Sequence, residues 1–460
     1  MADFAANLNI RAIDDLEDLA NVILANAKTV KSFLSNSNIP PPSFSVDAPL
    51  SFPDSPRNVR EARSQLLDAS KKIQQLVMGP RDHLFWYSCL YQVGNAFRWI
   101  CSYDVPSFVP LEGDISYSDL AAKTRTNQDV TQRMLRFLMT SNIFREPRPG
   151  FVAHTIGSKL MTIPGPRDLT YFAVLESSQW AAAYLQTFNK WGYSEEPNET
   201  AFNYTSGSSL PVYKAWDLDP IRGPRFGRAM DGFQSTTAYH TDHIINGWDW
   251  QLLTPGSTVV DVGGSRGTVA YALAKAFQNP SFIVQDLPEI VSEAQKKAGL
   301  GIANDVAPRV SFYSHDFFTT QPVKNADVYF LRMIFHNYSD KYAVKILHNL
   351  MPAMKKGPGG SKLLIADQIM TPMLGSSSSE SASGGNTGVS AHDEYSMRFL
   401  DIQMLIMLNA KEREMVDWEA LLRRASEGRE EGVLRVTGQR RPEGSAHSLI
   451  VVELLPRGTE

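Results

Sequence analysis

At 460 residues the chain is too long for one core of ordinary size and points to two domains with terminal additions. Its 43% hydrophobic content fits a well-buried globular protein, while a formal net charge of −4 leaves no electrostatic footprint for nucleic acid. No run of 18 apolar residues and no basic-then-apolar leader occurs, so a cytoplasmic protein with no membrane contact and a small-molecule partner is expected.

Apolar spacing predicts helices over residues 10–36 and 58–79, joined by a Pro- and Ser-rich connector from Ile39, and these form an N-terminal extension over 1–80. A third helix is predicted over 81–102. Its Leu84, Phe85, Trp86, Tyr87, Tyr91 and Phe97 cover nearly every side, which implies burial on more than one face, as a subunit interface would provide. Cys89 and Cys101 fall in this helix about 18 Å apart by helical rise, too far to pair with each other. Two cysteines are also too few for a disulfide framework or a cysteine metal site, and no metal is expected.

Two short capped helices beginning near Ile115 and Asn127, then a hairpin through Pro149 and Gly150, read as a winged helix-turn-helix within a domain at 81–165. The second of these helices spends Val130, Met134, Leu135, Phe137 and Leu138 on packing. It offers only Arg133 and Arg136 against Asp129, too thin a surface to neutralise phosphates. Residues 166–250 are aromatic-rich and mainly helical. Core packing accounts for most of these rings. Their place just before the next domain makes Trp180, Phe226, Met230 and Phe233 candidate walls of a substrate pocket.

Over 251–460 the pattern changes to strands at 258–262, 281–285, 309–313, 327–331 and 361–367, separated mostly by helix-like segments. The fold class is α/β, a Rossmann-like doubly wound sheet behind a mainly α winged-helix domain. Two further strands, Val433 to Gly438 and Ser448 to Leu454, flank a short polar loop, so a closing antiparallel hairpin brings the count to seven. A Ser/Gly tract at about 375–390 is expected to be a disordered surface loop.

The chemistry gathers at the strand ends. The run from Thr258 through Asp261, Gly263, Gly264 and Gly267 to Thr268 joins a buried strand to a helix through a glycine turn, the mark of a nucleoside-cofactor site. A dinucleotide fingerprint starting at Gly263 needs glycine at 265 and 268, where the chain has Ser265 and Thr268, so NAD and FAD are disfavoured. Asp286, at the end of the second strand and followed by Leu287, is placed to accept a ribose diol. After the third strand, Asp316 can accept from an adenine amino group while Phe317 packs on the ring, although Asp316 could equally cap a helix. His336 lies just past the fourth strand, on the side where open α/β sheets bind ligands, and an imidazole of ordinary pKa about 6.5 suits a general base.

These motifs, with the winged domain, the run Phe226-Gly-Arg-Ala-Met230-Asp and the segment Asn409-Ala-Lys-Glu412-Arg, resemble the plant-type small-molecule O-methyltransferases, in particular their fungal members. The likeness covers roughly residues 80–455. It implies S-adenosylmethionine (SAM) as cofactor, with Arg332 lying along it. It also implies His336 as the base that deprotonates a phenolic or enolic acceptor, oriented by Asp367 and Glu412, and an intertwined homodimer whose partner helps close the pocket. The chain departs from the common pattern at Asn337, where many members carry aspartate beside the histidine, and at Asp367, where plant members commonly carry glutamate. Asn337 joins the candidate pocket residues on position. Two other readings stand beside this one: a SAM-retaining enzyme that catalyses dehydration or pericyclic cyclisation without methyl transfer, and a winged-helix regulator with a degenerate catalytic domain.

Overall fold

The computed structural model describes residues 10–234, 236–297, 306–372 and 389–458. The Ser/Gly tract lies outside them except for residues 389 and 390. The chain forms two compact units: Met1–Ala182 with Trp216–Phe233 and Pro372–Phe399, and Ala183–Ala215 with Gln234–Thr371 and Leu400–Glu460.

The first unit begins with the helices Leu16–Asn36 and Arg57–Ser88, which run antiparallel because Leu19 shares a core with Ala69, and Leu34 one with Ala62. Asp15 caps the first by accepting from the N–H groups of Glu17 and Asp18 at 2.9 and 3.0 Å. Gly79, at φ 75° and ψ 161°, kinks the second just before Pro80. The single helix expected over 81–102 is instead two pieces, because Arg57–Ser88 ends at Cys89 and a new helix spans Tyr91–Ser102. Apolar residues all round a helix carry no phase, so a break in register there leaves no trace in the sequence. Leu84, Phe85, Trp86 and Tyr91 are 72, 57, 58 and 67% exposed on this chain.

Ser116 and Asn127 then cap the helices Tyr117–Thr124 and Gln128–Met139 through the N–H groups of Asp119 and Val130. Two short antiparallel strands, β1 (Ile115–Ser116) and β2 (Phe151–Val152), complete the wing. The two cations of the second helix face acids, Arg133 towards Asp129 at 3.6 Å and Arg136 bidentate on Glu146 at 2.8 Å. Further along, Trp180 and Phe226 pack with Phe172 and Trp216, ring centroids 4.6–6.1 Å apart. Met230 and Phe233 are half-buried on the helix Arg222–Gln234 that carries Phe226.

The second unit contains β3 (Thr258–Val262), β4 (Ser281–Asp286), β5 (Val310–Ser314), β6 (Val328–Arg332), β7 (Lys362–Asp367), β8 (Ile369–Met370), β9 (Arg413–Glu414), β10 (Val433–Arg440) and β11 (Ser448–Leu455). Seven of these form one sheet in the order β10-β11-β7-β6-β3-β4-β5, parallel except for β11 and β10. Successive side chains alternate between its faces. Val260, Tyr329, Leu331, Leu363 and Ile365 therefore share a core with Leu347 and Trp418 on one side. Val259, Phe330, Leu364 and Ala366 pack with Ala270, Leu273 and Trp250 on the other. The chain winds outward in one direction from β3 and in the other from β6, so the crevice beyond the C-terminal ends of β3 and β6 is where a ligand is expected. Among the described residues no helix is long and apolar enough to cross a membrane.

Candidate active site

The turn after β3 is shaped by close approach. Gly263 and Gly267 take φ 75°, and Ser265 takes φ 51°. A Cβ on Gly264 would lie 2.5 Å from Cγ and Oδ2 of Asp261, and one on Gly263 would lie 2.5 Å from Ile334 Cδ1. The turn spends its donors internally: the N–H groups of Gly263 and Gly264 donate to Gln285 O, that of Ser265 to Asp286 Oδ2, and that of Gly267 to Gly264 O. A pyrophosphate needs such N–H groups free. The cradle therefore fits a nucleoside cofactor without phosphates, as SAM is.

Asp286, at the end of β4, is held by the Ser265 N–H at 2.9 Å and by the N–H of the half-exposed Leu287 at 2.8 Å. Acceptor capacity remains on both of its oxygens for a diol. Asp261 is 4% exposed, and burial pushes its carboxyl up to about 7 against the pull of the Arg332 charge. Asp316 accepts from the Phe318 N–H at 2.9 Å and so caps a tight turn; no helix follows it. Phe317 stands beside the glycine turn, 3.7 Å from where a Gly263 Cβ would be, with edge contacts to Phe318 and Tyr338.

At the end of β6 the chain bends sharply. Met333 adopts φ 55° while its N–H donates to Ala366 O on β7, and a short 3-10 turn, Phe335–Asn337, follows. This carries His336, 8% exposed, to Glu412, 4% exposed, with Nδ1 2.9 Å from Oε1. Burial alone disfavours a charged imidazole. The charge and hydrogen bond of Glu412, with the charge of Asp367 behind them, outweigh burial and raise the His336 pKa above its ordinary value. Asp367, at the end of β7, is 1% exposed, and neither oxygen has a hydrogen-bond partner among the described residues. Burial pushes its carboxyl up to about 7 despite the opposing charge of His336. Arg332 donates from Nη2 to Tyr239 O at 2.8 Å and lies within reach of the charges of Asp261 and Asp367. The expected residues of the second unit thus lie at the C-terminal ends of β3, β4, β5, β6 and β7, with Glu412 just before β9.

Sequence reasoning missed several supports. Asn337 has its amide engaged at both ends, Nδ2 donating to Met333 O at 2.9 Å and Oδ1 accepting from Tyr213 OH at 3.1 Å, so it braces the turn that carries His336. His447, 4% exposed one residue before β11, sets its ring edge-on against Tyr239 at 4.9 Å. Burial, with the charges of Arg332 and His336 beside it, holds its pKa well below the ordinary histidine value. Arg413 is buried against the segment 335–340. The signal for Arg413 was its place next to Glu412, but an arginine following a glutamate ordinarily reads as a surface pair. Tyr213, Tyr239 and His447 carry no local signal, since their neighbours come from distant parts of the chain.

The chain as a whole matches known proteins. A family model described as the O-methyltransferase domain matches residues 190–426, just over half of the chain, and one described as the O-methyltransferase dimerisation domain matches residues 86–163. Residues 13–78 match a model described as the trypacidin cluster transcriptional coactivator tpcD N-terminal domain. The chain is similar to the O-methyltransferase pgmB of Aspergillus terreus, 34% identical over 446 residues that cover 96% of each chain. It is also similar to the chlorophenol O-methyltransferase of Trichoderma longibrachiatum, 34% identical over 407 residues, 87% of this chain and 82% of that one. The fold is like that of OxaC in complex with SAH and oxaline, TM-score 0.71 at 18% identity, covering 95% of this chain and 98% of that chain. With a family model spanning half its length and relatives matched almost end to end, the chain belongs to the O-methyltransferase family and is a SAM-dependent O-methyltransferase.

Proposed function

We propose that this enzyme methylates a phenolic or enolic hydroxyl of a small aromatic or polyketide-type secondary metabolite, with His336 as general base. The observation that carries the reading is the buried contact of His336 Nδ1 with Glu412 at the sheet's ligand-binding end. A carboxylate on Nδ1 fixes the tautomer, so Nδ1 holds the proton and Nε2 the lone pair. Among the described residues no protein group bonds Nε2, which leaves it to accept from the substrate hydroxyl. A phenol has a pKa of about 10. The raised His336 narrows the gap the proton must cross, and Glu412 stabilises the imidazolium that forms.

SAM supplies, when bound, a methyl group on a positively charged sulfur that is already electrophilic. The chain has to hold the acceptor oxygen in line and take its proton; positioning contributes about 7–11 kcal/mol in favourable cases. In this reading Asp286 takes the ribose diol, Asp316 and Phe317 the adenine, and Asp261, Gly263, Gly264, Gly267, Leu287 and Arg332 line the rest of the cofactor site. The chain is proposed to act as a cytoplasmic homodimer through its dimerisation domain. The name of the chlorophenol O-methyltransferase relative supports a phenolic acceptor.

The test uses labelled SAM with a panel of phenols and enolic diketones, following methylated product and S-adenosylhomocysteine. His336→Ala is expected to lower turnover by roughly 10²- to 10⁴-fold while SAM affinity stays within a few fold. Full methyl transfer by that variant would remove the general-base assignment. Product formed without S-adenosylhomocysteine would instead point to cyclisation or dehydration.

A further inference from the structure

The side chain of Arg413 is 0% exposed, and its donors converge on the segment that carries His336. Nη1 donates to Phe335 O and Nη2 to Tyr338 O, each at 2.9 Å, so the guanidinium grips carbonyls on both sides of His336. Nε and Nη2 also reach Asp340 Oδ1, at 3.1 and 2.8 Å. The same arginine follows Glu412 directly and lies on β9, which pairs with β8 two residues beyond Asp367. The Glu412 N–H is tied in turn to Asp401 Oδ1 at 2.9 Å, and the guanidinium lies 5.4 Å from the centre of the Trp418 ring.

We infer that Arg413 is a positioning residue that sets the separation of His336 from Glu412, clamping the backbone around the one to the residue that directly follows the other. This rests on His336 as the general base. The 335–337 turn is short, begins beyond a left-handed Met333, and pairs with no sheet strand among the described residues, so it needs an external hold to present the imidazole at a fixed distance. A planar guanidinium with five donors can hold two carbonyls and a carboxylate together, whereas an ammonium on a flexible stem cannot. Lys411 also faces Asp340, at 3.2 Å from Oδ2, so that carboxylate stays neutralised if Arg413 becomes lysine.

Arg413→Lys therefore keeps the charge and loses the clamp. Using labelled SAM and a phenol the wild type turns over, kcat per SAM-binding site is expected to fall on the order of 10²-fold, with KM for SAM within a few fold. The acid limb of kcat/KM is expected at lower pH, because Glu412 holds His336 less closely. In a His336→Gln background the same change should add no further loss, since there is then no base to misplace. Wild-type kcat per site with an unshifted acid limb, or a loss that simply adds to that of His336→Gln, overturns the inference. If His336→Gln itself retains full turnover, the base assignment fails. If His336→Gln is inactive while Arg413→Lys behaves as wild type, only the clamp fails. Should Arg413→Lys not bind SAM, Asp340→Asn replaces it: a several-fold loss of kcat supports the clamp, and wild-type kcat overturns it.

Discussion

His336, Glu412 and Asp367 form a buried group in which charge and burial compete, and pH makes that competition measurable. Transfer needs His336 neutral, and its pKa is raised, so kcat/KM should fall as pH drops through a value above the ordinary 6.5 or so. Glu412→Gln removes the charge that raises it. The acid limb should then move to lower pH while the plateau rate drops, as a pH-rate profile would show. Asp367 behaves in the opposite sense to a stabilising carboxylate. An unfolded aspartate loses its proton near pH 3.9, whereas in the folded chain Asp367 does so at about 7. Folding stability therefore declines as pH rises between those values. Asp367→Asn should accordingly unfold at a higher temperature than the wild type at pH 8, with the difference shrinking towards pH 4. Equal melting temperatures at both pH values would contradict a buried carboxyl of raised pKa. Asn337 shows why residue identity alone misleads: in place of a charge beside the histidine it supplies two hydrogen bonds that fix the turn.

The glycine turn owes its form to what crowds it. Asp261 comes within 2.5 Å of where a Cβ on Gly264 would sit, so Gly264→Ala forces the turn or the carboxylate to move. Overpacking of this kind costs about 1–3 kcal/mol. Calorimetry should find SAM binding weakened roughly 5- to 150-fold, with the helices and sheet intact by circular dichroism. Asp286→Ala should weaken SAM affinity before it affects turnover at saturating cofactor; unchanged affinity would place the ribose elsewhere. This element was legible in advance, because a strand, an acid and spaced glycines occupy one contiguous run whose meaning depends on backbone geometry alone. Only the fold shows where its N–H groups go: they bond to Gln285, Asp286 and Gly264. The helix expected over 81–102 was misread for the opposite reason, since apolar residues on every side hide the break at Cys89.

At the scale of the molecule, one chain leaves Leu84, Phe85, Trp86 and Tyr91 largely exposed, and the dimerisation-domain match begins within this stretch. Such an apolar surface is costly in water. With Trp86 and Tyr91 both changed to glutamate, a species of one chain's mass, about 51 kDa, is expected in sedimentation equilibrium, where the wild type should show twice that. A wild-type mass for the variant would move the subunit interface elsewhere. The sequence alone determined the α/β sheet with its antiparallel hairpin and the glycine turn of a nucleoside-cofactor site, because each is written in short-range periodicity or in a contiguous motif; Asp367 and Glu412 came from the resemblance to a family. The tertiary structure decided how His336 meets Glu412, which oxygens of Asp367 go unpaired, and that Arg413, Tyr213, Tyr239 and His447 stand around them. Those facts depend on where β6, β7 and β9 end in space, and on burial that changes a side chain's charge, neither of which is carried by neighbours along the chain.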